Sequence, residues 1–151
     1  MRLRLVPVCE RWRDNWRTVG PRDAVKTDAP RSRAALKSVG EQLHELPPGT
    51  PVVLAARAPW ARRRCMALAE QGGILPEREY LAFPSADAPA YLVEDSPATV
   101  ALFVDAILVP PPRGRFARPA RLGVELLRRS PRRASLFRAL APGRVVVGSR
   151  T

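Results

Sequence analysis

The residues that could do chemistry in this 151-residue chain are sparse and scattered. Glu77 and Glu79 stand two apart, so a strand would set both carboxylates on one face, and Glu94-Asp95 forms a second acidic pair further on. Paired acids of this kind bind a divalent metal or divide acid and base roles between them. Beside so many arginines, the stronger expectation is ionic pairing with basic neighbours, or capping of a helix that starts at Ser96. A Ser-His-Asp arrangement would have to use His44, the single histidine. It falls near the end of a polar-faced helix and reads as a solvated side chain, not a general base. Cys9 and Cys65 lie in no Cys-x-x-Cys motif, and zinc sites take about four ligands, which two thiols and His44 do not supply. Buried free thiols are expected, although spacing also leaves one disulfide open. Neither a Gly-x-Gly-x-x-Gly turn nor a Gly-x-x-x-x-Gly-Lys-Ser/Thr phosphate cradle occurs, and Gly20 and Gly72-Gly73 read as turns. No catalytic residue, metal ligand or cofactor is assigned.

Charge is the most uneven property. The chain carries 26 basic and 14 acidic residues, a net charge of +12, and only Lys26 and Lys37 are lysines. Residues 113–151 hold eleven arginines against the single acid Glu125. That field attracts polyanions such as nucleic acid, lipid headgroups or acidic glycans. Arg113, Arg115, Arg118 and Arg121, with Arg128, Arg129, Arg132 and Arg133, are the candidate anion-binding residues. An arginine-rich, lysine-poor composition also follows from GC-rich coding, which requires no polyanion and is the preferred explanation. Only Phe116 and Phe137 lie among these arginines, where single-strand binders interleave several stacking rings.

No secretory leader is expected, because Arg2 and Arg4 are followed by Pro7, Cys9 and Glu10 instead of an apolar core. The longest apolar run, Val100 to Val109, is broken by Asp105 and falls short of the ~20 residues that span a bilayer. The expectation is a soluble cytoplasmic protein with no transmembrane segment, touching a membrane surface, if at all, through its basic end.

The 17 prolines divide the chain into short elements. Residues 2–8 alternate Arg2, Leu3, Arg4, Leu5 and predict an edge strand. Trp12 and Trp16 are expected on one helical face, docked on the domain with arginines in water. Residues 20–33 read as loop or linker. Leu36, Val39, Leu43 and Leu46 recur at helical spacing over 34–46, with Ser32 as N-cap. Residues 52–56 form an unbroken apolar run, the mark of a strand covered on both faces, as in a parallel sheet. Pro59 then suits the first turn of a helix over 60–71, with Cys65, Met66, Leu68 and Ala69 inward and Arg62 to Arg64 mostly outward. A strand over 74–83 returns as a hairpin at 90–93. Ser96-Pro97 starts a helix to about Leu108 with Val100, Phe103, Val104, Ile107 and Leu108 on its core face. Residues 113–120 read as mobile, two short helices follow at 121–129 and 132–140, and 144–148 is a last strand.

This order of strand, helix, long strand, inserted hairpin and helix, and final strand resembles the C-terminal half of a class I S-adenosylmethionine-dependent methyltransferase domain. Leu46-Pro-Pro-Gly-Thr-Pro-Val-Val-Leu-Ala is similar to that family's "L-x-P-G-G-x-hydrophobic" approach to a late strand, and Ala69-Glu-Gln-Gly-Gly-Ile to its "AGF" helix end. Tyr80-Leu-Ala-Phe-Pro-Ser and Leu140-Ala-Pro-Gly-Arg-Val-Val-Val-Gly resemble a bacterial subgroup in cell-envelope glycan biosynthesis, sometimes found beside a phosphotransferase domain. The resemblance covers roughly residues 46–150. It implies a cofactor held by a glycine-rich loop after the first strand and an acid ending the second, both in the N-terminal half. Val19-Gly20-Pro21-Arg22-Asp23 is not that loop, and two βα units do not fit upstream of residue 46. No cofactor-binding residue therefore carries over.

The expected fold is α/β: a partial Rossmann-like sheet of mixed parallel and antiparallel strands, flanking helices and an inserted hairpin. Residues 1–33 are read as an N-terminal strand, Trp-containing segment and linker. Residues 34–151 are read as the methyltransferase-like domain, with basic helices over 113–143. The expected function is a truncated or degenerate, non-catalytic accessory domain that meets a protein partner or a second copy through an open sheet edge. Two alternatives stand beside it: a small basic nucleic-acid or anionic-surface binder, and a transferase acting on a sugar substrate.

Overall fold

A computed structural model of the chain describes residues 10–108 and 117–151. The strand expected over 2–8 lies outside the described residues, as do Cys9, Arg113 and Arg115. The described chain divides into two compact units. One holds the residues up to Glu94 together with Ala141–Thr151, and the other lies within Asp95–Leu140.

The first unit is built on a five-stranded sheet: β1 (Val25–Asp28), β2 (Pro51–Arg57), β3 (Ile74–Phe83), β4 (Tyr91–Glu94) and β5 (Gly143–Arg150), in the order β1-β2-β5-β3-β4. β1 and β2 are parallel, while β5 is antiparallel to both β2 and β3, and β4 is antiparallel to β3. The sheet is therefore open and mixed, as expected of the α/β class. The apolar run 52–56 is buried on both faces, but by a mixed sheet, with a parallel neighbour only on the β1 side.

Alternation assigns each residue of that run to a layer. Val52, Leu54 and Ala56 pack with Leu36 and Leu43 of α1 (Arg33–His44) and with Cys65, Leu68 and Ala69 of α2 (Ala61–Gly72). Val53 and Ala55 face the opposite layer with Trp16, Tyr80, Val145 and Val147. The Ser32 hydroxyl accepts from the Ala35 N–H at 3.2 Å, the N-cap the sequence predicts. Gly40 lets the two helices approach, since a Cβ there would lie 2.8 Å from Cβ of Gln71.

Three local expectations are corrected in this unit. The segment 20–33 is not all linker: it carries β1, whose Val25 and Thr27 have only short alternation to announce them. Residues Glu10–Thr18 form a 3-10 helix, in which positions four apart lie about 120° apart around the axis. Trp16 is accordingly buried and Trp12 only half-buried, not a shared face. Pro59 precedes α2 instead of sitting in its first turn, and Trp60, at φ 61, is the residue before the first helical turn.

The second unit is helical: α3 (Pro97–Leu102), a π-helical turn (Phe103–Ile107), α4 (Ala117–Arg129) and α5 (Arg133–Leu140). The Ser96 hydroxyl accepts from the Thr99 N–H at 3.2 Å and Pro97 follows in the first turn, as predicted. Val100, Phe103, Val104 and Leu108 are buried; Ile107 is not. The helix widens at Phe103, where the Leu108 N–H reaches back five residues to the Phe103 carbonyl at 2.8 Å, and that change of pitch turns Ile107 out of the apolar stripe. Residues 117–120, read as mobile, belong to α4. The rings of Phe103 and Phe137 stack at 5.5 Å between centroids, tilted by 47°.

Candidate functional site

In open α/β sheets, ligands bind in crevices outside the carboxyl ends of the strands. The parallel pair β1 and β2 ends at such a crevice, a cavity of about 390 Å³ lined by Asp28–Arg31, Ala55–Arg57, Arg64, Ala86 and Asp87. Small-molecule sites begin at about 300 Å³. Its floor is small and apolar because three alanines end β1 and β2: Ala29, whose N–H donates to the Ala55 carbonyl at 2.7 Å, then Ala55 and Ala56. Its polar groups come from the two strand-to-helix loops.

Arg64 reaches back from α2 to tie those strand ends together. Its Nη1 donates to the Ala29 carbonyl at 2.8 Å and its Nη2 to the Arg57 carbonyl. Its Nε is buried without a hydrogen-bond partner. Arg64 therefore corrects the expectation of an outward arginine, one that the run Arg62-Arg63-Arg64 gave no means of singling out. Arg57 pairs with Asp87, and that hydrogen bond and charge hold its pKa above the ordinary guanidinium value, with Asp28 adding a smaller push. Asp87 also accepts from the Ser85 hydroxyl at 3.1 Å. Arg31 donates from Nη2 to the Ala58 carbonyl at 3.2 Å and stays exposed. Three arginines against two aspartates leave the crevice basic, so it suits an anionic or hydroxyl-rich ligand.

One acid of each pair, Glu79 and Asp95, is drawn into an ion pair. Glu79 takes a two-pronged contact from Arg62 on α2, Nε and Nη2 at 2.8 and 2.9 Å. It also lies 3.6 Å from Nη1 of the buried Arg144 on β5. Glu77 goes elsewhere, accepting from the Ser149 hydroxyl at 2.8 Å. The shared face expected of the two glutamates fails because the ladder shifts register between Pro76 and Arg78, and a bulge breaks the period of two. Asp95 is almost fully buried against Arg138. His44 is exposed at the end of α1, its Nδ1 3.3 Å from Nη2 of Arg150. Cys65 is a free, buried thiol whose pKa burial pushes up to about 12. Among the described residues no group of three His, Cys, Asp or Glu side chains could hold a metal.

The candidate anion-binding arginines of the helical unit separate into two kinds. Arg128 donates from Nε to the Val104 carbonyl and from Nη2 to the Leu108 carbonyl, both at 3.0 Å, closing the end of the π-helical turn. Arg133 pairs with Asp105 at 3.1 Å. Arg118, Arg121, Arg129 and Arg132 are exposed. The apolar stripes of α4 and α5 are also less buried than their spacing predicts: Phe137 is inside, whereas Leu122, Leu126, Leu136 and Leu140 face solvent.

Fold and crevice together define an open, mixed α/β sheet protein with a basic cleft at its parallel strand ends. No family model, curated protein or solved structure matches the chain.

Proposed function

We propose that the chain is an accessory interaction domain of methyltransferase-like type, cytoplasmic and tied to cell-envelope polysaccharide biosynthesis, that docks an extended segment of a partner protein along β1. The carrying observation is the state of that edge. The Ala29 N–H points at β2, so by alternation the backbone groups of Lys26 and Asp28 point outward. Nothing among the described residues pairs with them. Natural edges are guarded by bulges, prolines or projecting lysines. Here the Lys26 amine instead lies 5.8 Å from the centre of the Trp16 ring, and β1 contains neither a proline nor a bulge. Strand addition gains affinity from main-chain bonds of this sort.

Lys26→Pro removes one outward N–H without touching the β2 ladder, and Lys26→Ala controls for the side chain. A stoichiometric partner recovered from cells with wild type and Lys26→Ala but lost with Lys26→Pro supports the proposal. A partner retained by Lys26→Pro overturns it. Micromolar binding of S-adenosylmethionine in a calorimetric titration overturns the non-catalytic part.

The crevice favours a second reading, a site for a small phosphorylated or sugar ligand, because exposed Arg31 and the Arg57–Asp87 pair stand over its alanine floor. Sugar phosphates that fail to shift the unfolding temperature at millimolar concentration would remove it.

A further inference from the structure

Helix α4 is basic and apolar at once, and neither property is used up inside its own unit. Leu122 and Leu126 are 58% and 59% exposed. They stand one turn apart, with Arg118 four residues before them and Arg129 three residues after, so leucines and arginines share a stripe. Arg118, Arg121 and Arg129 have no ion pair among the described residues, while Arg128, beside Arg129, is tied to two carbonyls. Glu125 is the only acid on the helix. On α5, Leu136 and Leu140 make a second exposed pair one turn apart, next to Arg132.

We propose that α4 lies on an anionic phospholipid surface, with Leu122 and Leu126 in the boundary between headgroups and acyl chains and Arg118, Arg121 and Arg129 on the phosphates. An interfacial helix needs this combination: apolar side chains free to leave water, and basic ones placed to meet headgroups beside them. No helix among the described residues is long and apolar enough to cross a membrane, so the contact is with the surface. The leucines decide against nucleic acid as the polyanion. Bases stack on aromatic faces, and the one aromatic side chain of α5, Phe137, is buried against Phe103.

Flotation of the full chain with vesicles tests this. Binding is expected to vesicles of 70% phosphatidylcholine and 30% phosphatidylglycerol at roughly 50 mM salt and not to phosphatidylcholine alone, since each arginine near an anionic surface is worth about a five-fold factor. The pair Leu122→Gln and Leu126→Gln is expected to weaken flotation more than ten-fold, by the apolar area withdrawn, with an unchanged unfolding curve because both positions are exposed. Absence of flotation with the anionic vesicles overturns the proposal. Flotation that survives the double substitution overturns it too, as does a duplex oligonucleotide that competes the chain off the vesicles.

Discussion

Replacing Gly148 by alanine should unfold the sheet more readily than the same change at any other glycine of the described residues. Gly148 lies in β5 between Val52 of β2 and Pro76 of β3. A Cβ there would stand 3.0 Å from the Leu75 carbonyl carbon and 2.2 Å from its oxygen, the latter more than an ångström inside the ~3.5 Å optimum for non-bonded atoms. The obstacle is backbone, beside the register shift after Pro76, so no rotamer change relieves it. Either β3 or β5 must move, and β5 is hydrogen-bonded on both sides. Overpacking costs about 1–3 kcal/mol, and a rigid obstacle in two ladders places Gly148→Ala near the top of that range, about 3 kcal/mol. For a chain of this length that lowers Tm by about 6–12 °C. Tryptophan emission during thermal or urea unfolding reads it, because Trp12, Trp16 and Trp60 all belong to the sheet unit. Gly123→Ala is the matched control: it adds the same methyl in α4, where nothing lies within 4 Å, and should stabilise that helix by roughly 0.5–1 kcal/mol. A Gly148→Ala protein melting within 1–2 °C of wild type would refute the close-approach argument.

Cys65 titrates well above an ordinary thiol, so the native state keeps a proton the unfolded chain loses above pH ~9. Stability from this group is full below that pH and falls between pH 9 and 12, by up to about 1.4 kcal/mol per unit; Cys65→Ala should flatten that fall in pH-dependent urea melts. In a Cys9→Ser background, a disulfide reagent at pH 8 should label Cys65 only after denaturant is added. Phe137→Ala should cost about 3–4 kcal/mol and lower the helical circular dichroism, whereas Leu140→Ala, at an exposed position, should change stability by under ~0.5 kcal/mol. Arg128→Ala removes two bonds from the end of the π-helical turn and should cost about 1–2 kcal/mol. Arg128→Lys should restore little, because an ammonium cannot fork between the Val104 and Leu108 carbonyls; recovery to wild-type stability would count against the fork.

Elements with strong boundaries were legible in the sequence. β2 has an unbroken apolar run between Pro51 and Arg57, α3 has Ser96-Pro97, and β3 starts after Gly72-Gly73. β1 was not, because a strand of four residues with Lys26 and Asp28 in it has only one neighbour among the described residues and little side-chain burial to record. The valine run Val145 to Val147 marked a last strand without showing which strands flank it, so the central place of β5 came only with the sheet. The crevice was illegible for a related reason. Residues 28–31, 55–57, 64 and 86–87 meet only after two crossovers, and each is unremarked in its own window. The arginines divided by geometry, not by type. Arg128 and Arg129 are adjacent, yet only the first faces two free carbonyls.

The middle strand of the sheet is also the one made last. During synthesis β2 and β3 leave the ribosome with no β5 to join them, and the stretch from Asp95 to Pro142 occupies roughly 2–10 s at ~5–20 residues per second. For that interval each presents an unpaired backbone edge on its β5 side, that of β2 along its apolar run, open to chaperones or to another nascent copy. The helical unit is complete before the sheet can close, so the nascent chain reaches its most aggregation-prone stage with its basic helices already formed. A truncation before Gly143 would hold it in that state.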